Sequence, residues 1–295
     1  MLRSLISLVL AMMAACSTGC GSNSSRDVVA TPGPPASLTV PDGSSPLAAA
    51  RRDAANRLGV STARVALASL QAAGWDGCLG VIVAGQPCSQ LFVAGEIAIF
   101  EGGGEQLRYH IAGRRALGPV DPAHASNGSP VPADDAPDLV AALSAYAADD
   151  FATANKADPK AVTVVAVWPE ATPADGALAR IGDSAGHEAV YALAPTTGIA
   201  RQVGTGALAQ PPPALASLEL AMRQQLAQKL GAEVFSISIL SYHPQTWPNG
   251  CAGLEQPGVV CAQVVTPGFE ARLSDASGKM FVFRGAGDHF GLVPP

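Results

Sequence analysis

Four of the six cysteines in this 295-residue chain form two pairs with one spacing, Cys78 with Cys88 and Cys251 with Cys261, ten positions apart in each. Thiolates so placed could bind a metal, cycle as a redox couple or close a loop. A structural zinc site takes four ligands, and neither pair has a histidine or a further cysteine beside it. His110, His124, His187, His243 and His289 are scattered, with no H-E-x-x-H string, so neither a metal nor a cofactor is expected. The remaining reading is a local disulfide in each pair, closing a loop of about eleven residues and contributing about 2–3 kcal/mol in the chain-entropy view. Trp75 and Trp247 stand just before the two pairs, and Trp168 lies between them in sequence. Because tryptophan is enriched at binding hot spots, all three are candidate contact points for a partner. The competing reading makes each indole the plug of a small core.

A second candidate chemistry is nucleophilic. Gly182-Asp183-Ser184-Ala185-Gly186 fits G-x-S-x-G and resembles the nucleophile elbow of the hormone-sensitive-lipase branch of α/β-hydrolases, where a tight strand-to-helix turn lifts the serine. That resemblance implies an oxyanion loop at Gly102-Gly103-Gly104 and a triad of Ser184, Asp275 and His289. Glu101 stands where the oxyanion motif has histidine, and His187 replaces the second glycine after the elbow. A serine esterase is therefore the alternative reading; a non-catalytic protein is the main one.

Positioning these residues falls to a repeated unit. Arg51, Ala55, Leu58, Gly59, Val65, Leu67, Ser69 and Trp75 recur 172 positions later as Arg223, Ala227, Leu230, Gly231, Ile237, Ile239, Ser241 and Trp247. After one inserted residue, Gly77, Cys78, Gly80, Cys88, Gln90 and Gly95 recur as Gly250, Cys251, Gly253, Cys261, Gln263 and Gly268. A duplicated module is the economical explanation. Each copy spells a helix (47–58 and 218–230) closed by a glycine, then an alternating strand (64–70 and 234–240), the cysteine loop, and a β-hairpin. A degenerate middle copy without cysteines is expected, with a helix over 138–153, a strand over 162–168 and a hairpin starting at Gly186 in the manner of Gly95 and Gly268. The fold class is thus α+β: three tandem helix-plus-antiparallel-sheet modules over 47–117, 138–204 and 214–293, the first and third disulfide-bridged. Pro/Gly-rich connectors at 118–137 and 205–213 separate them. Asp134-Asp135 and Asp149-Asp150 read as solvated charges flanking a helix.

The helix end Ala227-Gln228-Lys229-Leu230-Gly231 and the hairpin from Gly268 through Asp275-Ala276-Ser277-Gly278 to Phe283 together resemble the small α+β PepSY-type module of secreted and envelope proteins. That resemblance implies a link to peptidase propeptides and peptidase inhibition. Open sheets leave edge strands, so pairing with an extended peptide is one binding mode.

The first residues read as an address. Arg3 precedes an apolar run from Leu5 to Ala15, too short to span a bilayer. Met13-Ala14-Ala15-Cys16 and Ser17-Thr18-Gly19-Cys20 both resemble a bacterial lipobox, whose cysteine is acylated. The residue three before the cysteine favours Cys16; cleavage at Cys20 is the alternative, since it leaves only the matched pairs. Residues 1–20 are thus a lipoprotein signal peptide, and 21–46 a tether rich in Gly, Ser and Pro with little to bury. Two acyl chains hold a protein stably on a membrane. With 18 basic against 24 acidic residues, a net charge of −6 and no long basic run, nucleic acid is not an expected partner. A monomeric lipoprotein of the cell envelope, binding a protein, peptide or envelope component, is the expectation.

Overall fold

The computed structural model describes residues 35–41, 44–82, 85, 87–169, 176–205, 211–254, 260–286 and 289–294. Cys16, Cys20 and the expected signal peptide lie outside the described residues, as does most of the tether. The first module opens with a short strand, β1 (Ala36–Leu38), and a helix, α1 (Pro46–Leu58). Ser45 caps α1 by accepting from the Ala48 amide at 3.1 Å, and Pro46 sits in the first turn, where a missing N–H leaves nothing unpaired. Strands β2 (Ala66–Trp75), β3 (Val93–Gly102), β4 (Glu105–Ala112) and β5 (Arg115–Gly118) follow as an antiparallel meander. β1 returns to pair with β5, giving the order β1-β5-β4-β3-β2.

The second module consists of α2 (Leu139–Asn155) and strands β6 (Val162–Pro169), β7 (Ala177–Asp183), β8 (Glu188–Ala194) and β9 (Ile199–Thr205). The third consists of α3 (Pro213–Leu230) and strands β10 (Ser238–Trp247), β11 (Thr266–Ser274), β12 (Met280–Ala286) and β13 (His289–Leu292). Both sheets keep strand order equal to chain order. All three helices end on a left-handed residue, Gly59, Lys156 and Gly231. All three then run through a 3-10 turn, Thr62–Arg64, Pro159–Ala161 and Val234–Ser236, into a first strand that carries a bulge after its second or third residue. These landmarks keep constant offsets, so the middle segment is built on the same plan as its neighbours.

The structure corrects several sequence expectations. Residues 234–236 form a 3-10 turn, and the strand begins at Ser238. Every module has four strands where the sequence reading placed three: the fourth, β5 and β13, was unmarked in the outer modules, and the second, β7, was left out of the hairpin of the middle one. Gly186 does not start a hairpin as Gly95 and Gly268 do; it lies in the β7–β8 turn, the counterpart of Gly103-Gly104 and Gly278. The 118–137 connector is anchored, because Ser129 and Gly74 exchange backbone hydrogen bonds and Val81 bridges Ala125.

The modules are not beads. Modules one and two share one core in which Leu47, Phe100 and Tyr109 meet Leu143, Tyr146 and Tyr191. Module three has its own, around Met222, Leu226, Ile237, Phe269 and Phe283. Between the helices, Arg51 reaches Asp150 at 2.5 Å, and Asp149 accepts from the Ser45 amide and hydroxyl at 3.1 and 2.9 Å. The expectation of solvated charges at Asp149-Asp150 therefore fails: Asp149 is buried, and both residues tie α2 to α1. β6 lies against β10, the 3-10 turn that precedes β10, and α3, joined through side chains. The Thr163 hydroxyl donates to the Phe235 carbonyl, the Val164 amide to Ser238 Oγ at 3.1 Å, and the Val167 amide to Glu219 Oε1 at 3.1 Å. The edge of β6 is consequently occupied, which removes it from the expected peptide-pairing mode.

Candidate functional site

Both cysteine pairs form disulfides, with Cα atoms 5.4 Å apart in each. The two loops are built alike. Leu79 and Ala252 take left-handed conformations at φ 54 and 53, followed by Gly80 and Gly253 at φ 69 and 71. Asp76 and Asn249 accept from the Cys78 and Cys251 amides at 3.0 Å, and the Gly77 and Gly250 amides donate to Ser89 and Ala262 at 2.9 Å. Past each bridge stands an exposed apolar pair, Leu91-Phe92 and Val264-Val265.

Two of the three tryptophans are buried and not placed to meet a partner. Trp75 and Trp168 are only 5% and 6% exposed. Trp75 stacks on His110 with ring centroids 4.7 Å apart. His110 is itself fully buried; Arg108 Nε lies 2.9 Å from its Nε2 and the Leu79 carbonyl 2.6 Å from its Nδ1. An arginine can only donate, so this imidazole is neutral with its proton on Nδ1, in keeping with a pKa pushed down to about 4 by burial. Trp247 is half-buried, donates to the Gly285 carbonyl at 2.9 Å and lies under the Arg284 guanidinium.

Nor does the structure assemble the esterase constellation. All strand pairings described are antiparallel, and Ser184 is exposed in the two-strand turn between β7 and β8, not on a strand-to-helix elbow. Asp183 accepts from the Ala185 and His187 amides, and Asp275 accepts from the Ser277 and Lys279 amides in the matching turn of module three. Ser184 and Asp275 therefore occupy corresponding hairpin turns of different modules. His289 begins β13, and Gly102-Gly103-Gly104 closes the β3–β4 hairpin.

What the fold does assemble is a cleft of ≈ 410 Å³ to which all three modules contribute. Its floor is the small-residue face of α2, with Ala141, Ala142, Ala145 and Ala148. Leu70, Glu96 and Ile111 of the first module form one wall; Ser238, Leu240, Arg272 and Met280 of the third form the other. Asp138 and Asp149 stand towards opposite ends of α2, about 16 Å apart at 1.5 Å per residue. Asp138 is the cap of α2, accepting from the Ala141 amide at 2.9 Å, and also receives Ser241 Oγ at 2.5 Å and His243 Nε2 at 3.1 Å. Arg272 Nε lies 3.3 Å from the same carboxylate, paired by charge and not by an aligned hydrogen bond. Burial works to raise the Asp138 carboxyl, but the His243 and Ser241 bonds hold it below the ordinary range. His243 is raised, first by its hydrogen bond to Asp138.

Glu96 differs. Strand alternation puts it on the same face of β3 as Ala98 and Phe100, the face turned to the shared core. Burial, and then the nearby Asp138 charge, push its carboxyl up to about 7. None of Glu96, Asp138 and Arg272 was marked by the sequence motifs. The available signal was parity: an acid in register with Ala98 and Phe100 on an otherwise core-facing stripe.

The comparisons with known proteins add a repeated family match. A family model described as a domain of unknown function (DUF8738) matches twice, over residues 47–118 and 219–290, that is, on the two disulfide-bearing modules. No curated protein matches the chain. Among solved structures, the Bacillus megaterium YpeB C-terminal domain aligns over 83% of this chain and 96% of its own length, at 8% identity and a TM-score of 0.14.

Proposed function

We propose that this is a non-catalytic, extracytoplasmic binding protein held at a membrane surface by an acylated N-terminal cysteine, and that it receives an extended polypeptide segment in the three-module cleft. One observation carries the reading. A mostly apolar concavity with a few convergent polar groups is the usual form of a ligand site, and here it exists only because three copies pack around the α2 alanine face. The floor of about 16 Å matches about five extended residues at 3.3 Å each. The two disulfides fit an oxidising compartment. Among the described residues no helix is long and apolar enough to cross a membrane, which suits a tether in place of a span.

Ala145→Phe tests the reading by filling the floor from a half-exposed position. A peptide array that lights up with the unsubstituted protein should go dark with this variant at unchanged melting temperature; undiminished binding places the ligand elsewhere. Fatty-acid labelling lost on Cys16→Ser, or on Cys20→Ser, identifies the anchored residue, and absence of label in the parent removes the anchor. Turnover of a p-nitrophenyl ester that disappears on Ser184→Ala would restore the esterase alternative.

A further inference from the structure

We infer that the cleft takes an organic cation on an alkyl stem, the lysine side chain being the simplest, with Glu96 as its counter-ion. This rests on the cleft being the ligand site. Glu96 is half-buried on a core-facing strand position and lines the cleft, and a charge partly withdrawn from water gains from a partner of opposite sign. Across the ladder Glu96 is flanked by Ala72 and Ile111, neither of which can answer it. Among the described residues it has neither a hydrogen bond nor an ion pair, and the charged group acting on it is Asp138, of the same sign. The cations of that end of the cleft are already committed: His243 and Arg272 both face Asp138, and Arg272 also faces Glu270 at 3.9 Å.

Glu96 therefore stands without a base of its own, beside an alanine floor and Leu70; of the other cations lining the cleft, Lys160 is exposed and Arg114 donates to the Ser277 carbonyl at 3.4 Å. An ammonium group answers the acid, and the methylenes behind it cover the apolar surface that a small inorganic cation would leave wet. The upward displacement of the Glu96 carboxyl agrees with an empty counter-ion position. A neutral apolar ligand would leave Glu96 buried more deeply and still unanswered.

The probes are the acetylated, amidated tripeptide Leu-Lys-Leu, its norleucine counterpart Leu-Nle-Leu, and n-hexylamine against 1-hexanol. Each is titrated into the full chain while the methyl resonances of Leu70, Ile111 and Leu240 are followed. The inference expects the ammonium member of a pair to bind at least about tenfold more tightly, as a charge-assisted hydrogen bond provides, and expects Glu96→Gln to erase that preference. A preference confined to the peptide pair identifies a polypeptide ligand; one shared by hexylamine identifies a small amine. Equal binding of lysine and norleucine peptides overturns the inference while leaving the cleft as the site. Cleft methyls untouched by all four probes overturn both readings together. The lysine-against-norleucine comparison uses the unsubstituted protein, so it decides the matter even if Glu96→Gln folds poorly.

Discussion

Lys156 ends α2 at φ 55, in the place that Gly59 and Gly231 hold in the sister helices. A side chain there crowds its own carbonyl, which costs about 1–2 kcal/mol, and the backbone bonds to Ala152 and Thr153 hold it in place regardless. Lys156→Gly should raise stability by about 0.5–1 kcal/mol, the relief being offset in part by the added freedom of the unfolded chain. Urea denaturation checks this, with Lys156→Ala as the control that gains nothing. The same contrast explains which residues sequence could name. Cys78, Cys88, Cys251 and Cys261 were legible because equal spacing in two copies leaves few alternatives. Glu96 was not, because an acid in a strand ordinarily marks the wet face, and only the packing of α1 on β3, with α2 across the cleft, makes that position a half-buried one. Trp75 and Trp168 misled for the opposite reason. Large aromatics serve hot spots and cores equally well, and the cores claimed Trp75 and Trp168.

The two bridged loops are the most nearly identical elements of the molecule, down to a left-handed residue after the first cysteine. Each bridge fastens the excursion between the first and second strands, so replacing Cys251 and Cys261 together by serine should lower stability by about 2–3 kcal/mol, read as a fall in melting temperature that a reducing agent reproduces in the parent. The middle module has no bridge. Its first strand is held instead from outside, by Ser238, Glu219 and the Phe235 carbonyl on its edge. Loss of the cysteines also removed the landmark by which its strands could be counted. That is why the hairpin at Gly186 was set one strand out of register, while the helix and first strand, marked by apolar spacing alone, fell close to place. The 3-10 turns and the strands β5 and β13 were illegible because runs of three or four residues carry too little periodicity to stand out.

At the scale of the whole molecule, the interfaces between modules carry groups whose protonation is tied to folding. Glu96 rises from 4.5 to about 7, and Glu219, buried against Val167 with Oε2 unpartnered, rises to about 8, burial being the chief cause in both. A raised carboxyl favours the folded state below its unfolded pKa, and that advantage is lost as pH climbs through the folded value. His243, raised above 6.5, likewise loses its contribution as pH rises. His110 and Asp138 are lowered and act in acid, His110 as pH falls from 6.5 towards about 4 and Asp138 below its ordinary 3.8. Between pH 6.5 and 8 the raised groups pull in one direction. Stability should fall there by on the order of 2 kcal/mol, and Glu219→Gln should flatten the descent; a pH series of denaturant midpoints checks both. A further consequence follows from β1, whose three residues are sewn to β5 at the rim of the first sheet. A pull on the chain ahead of Ala36 therefore loads those three residue pairs before it reaches the shared interior.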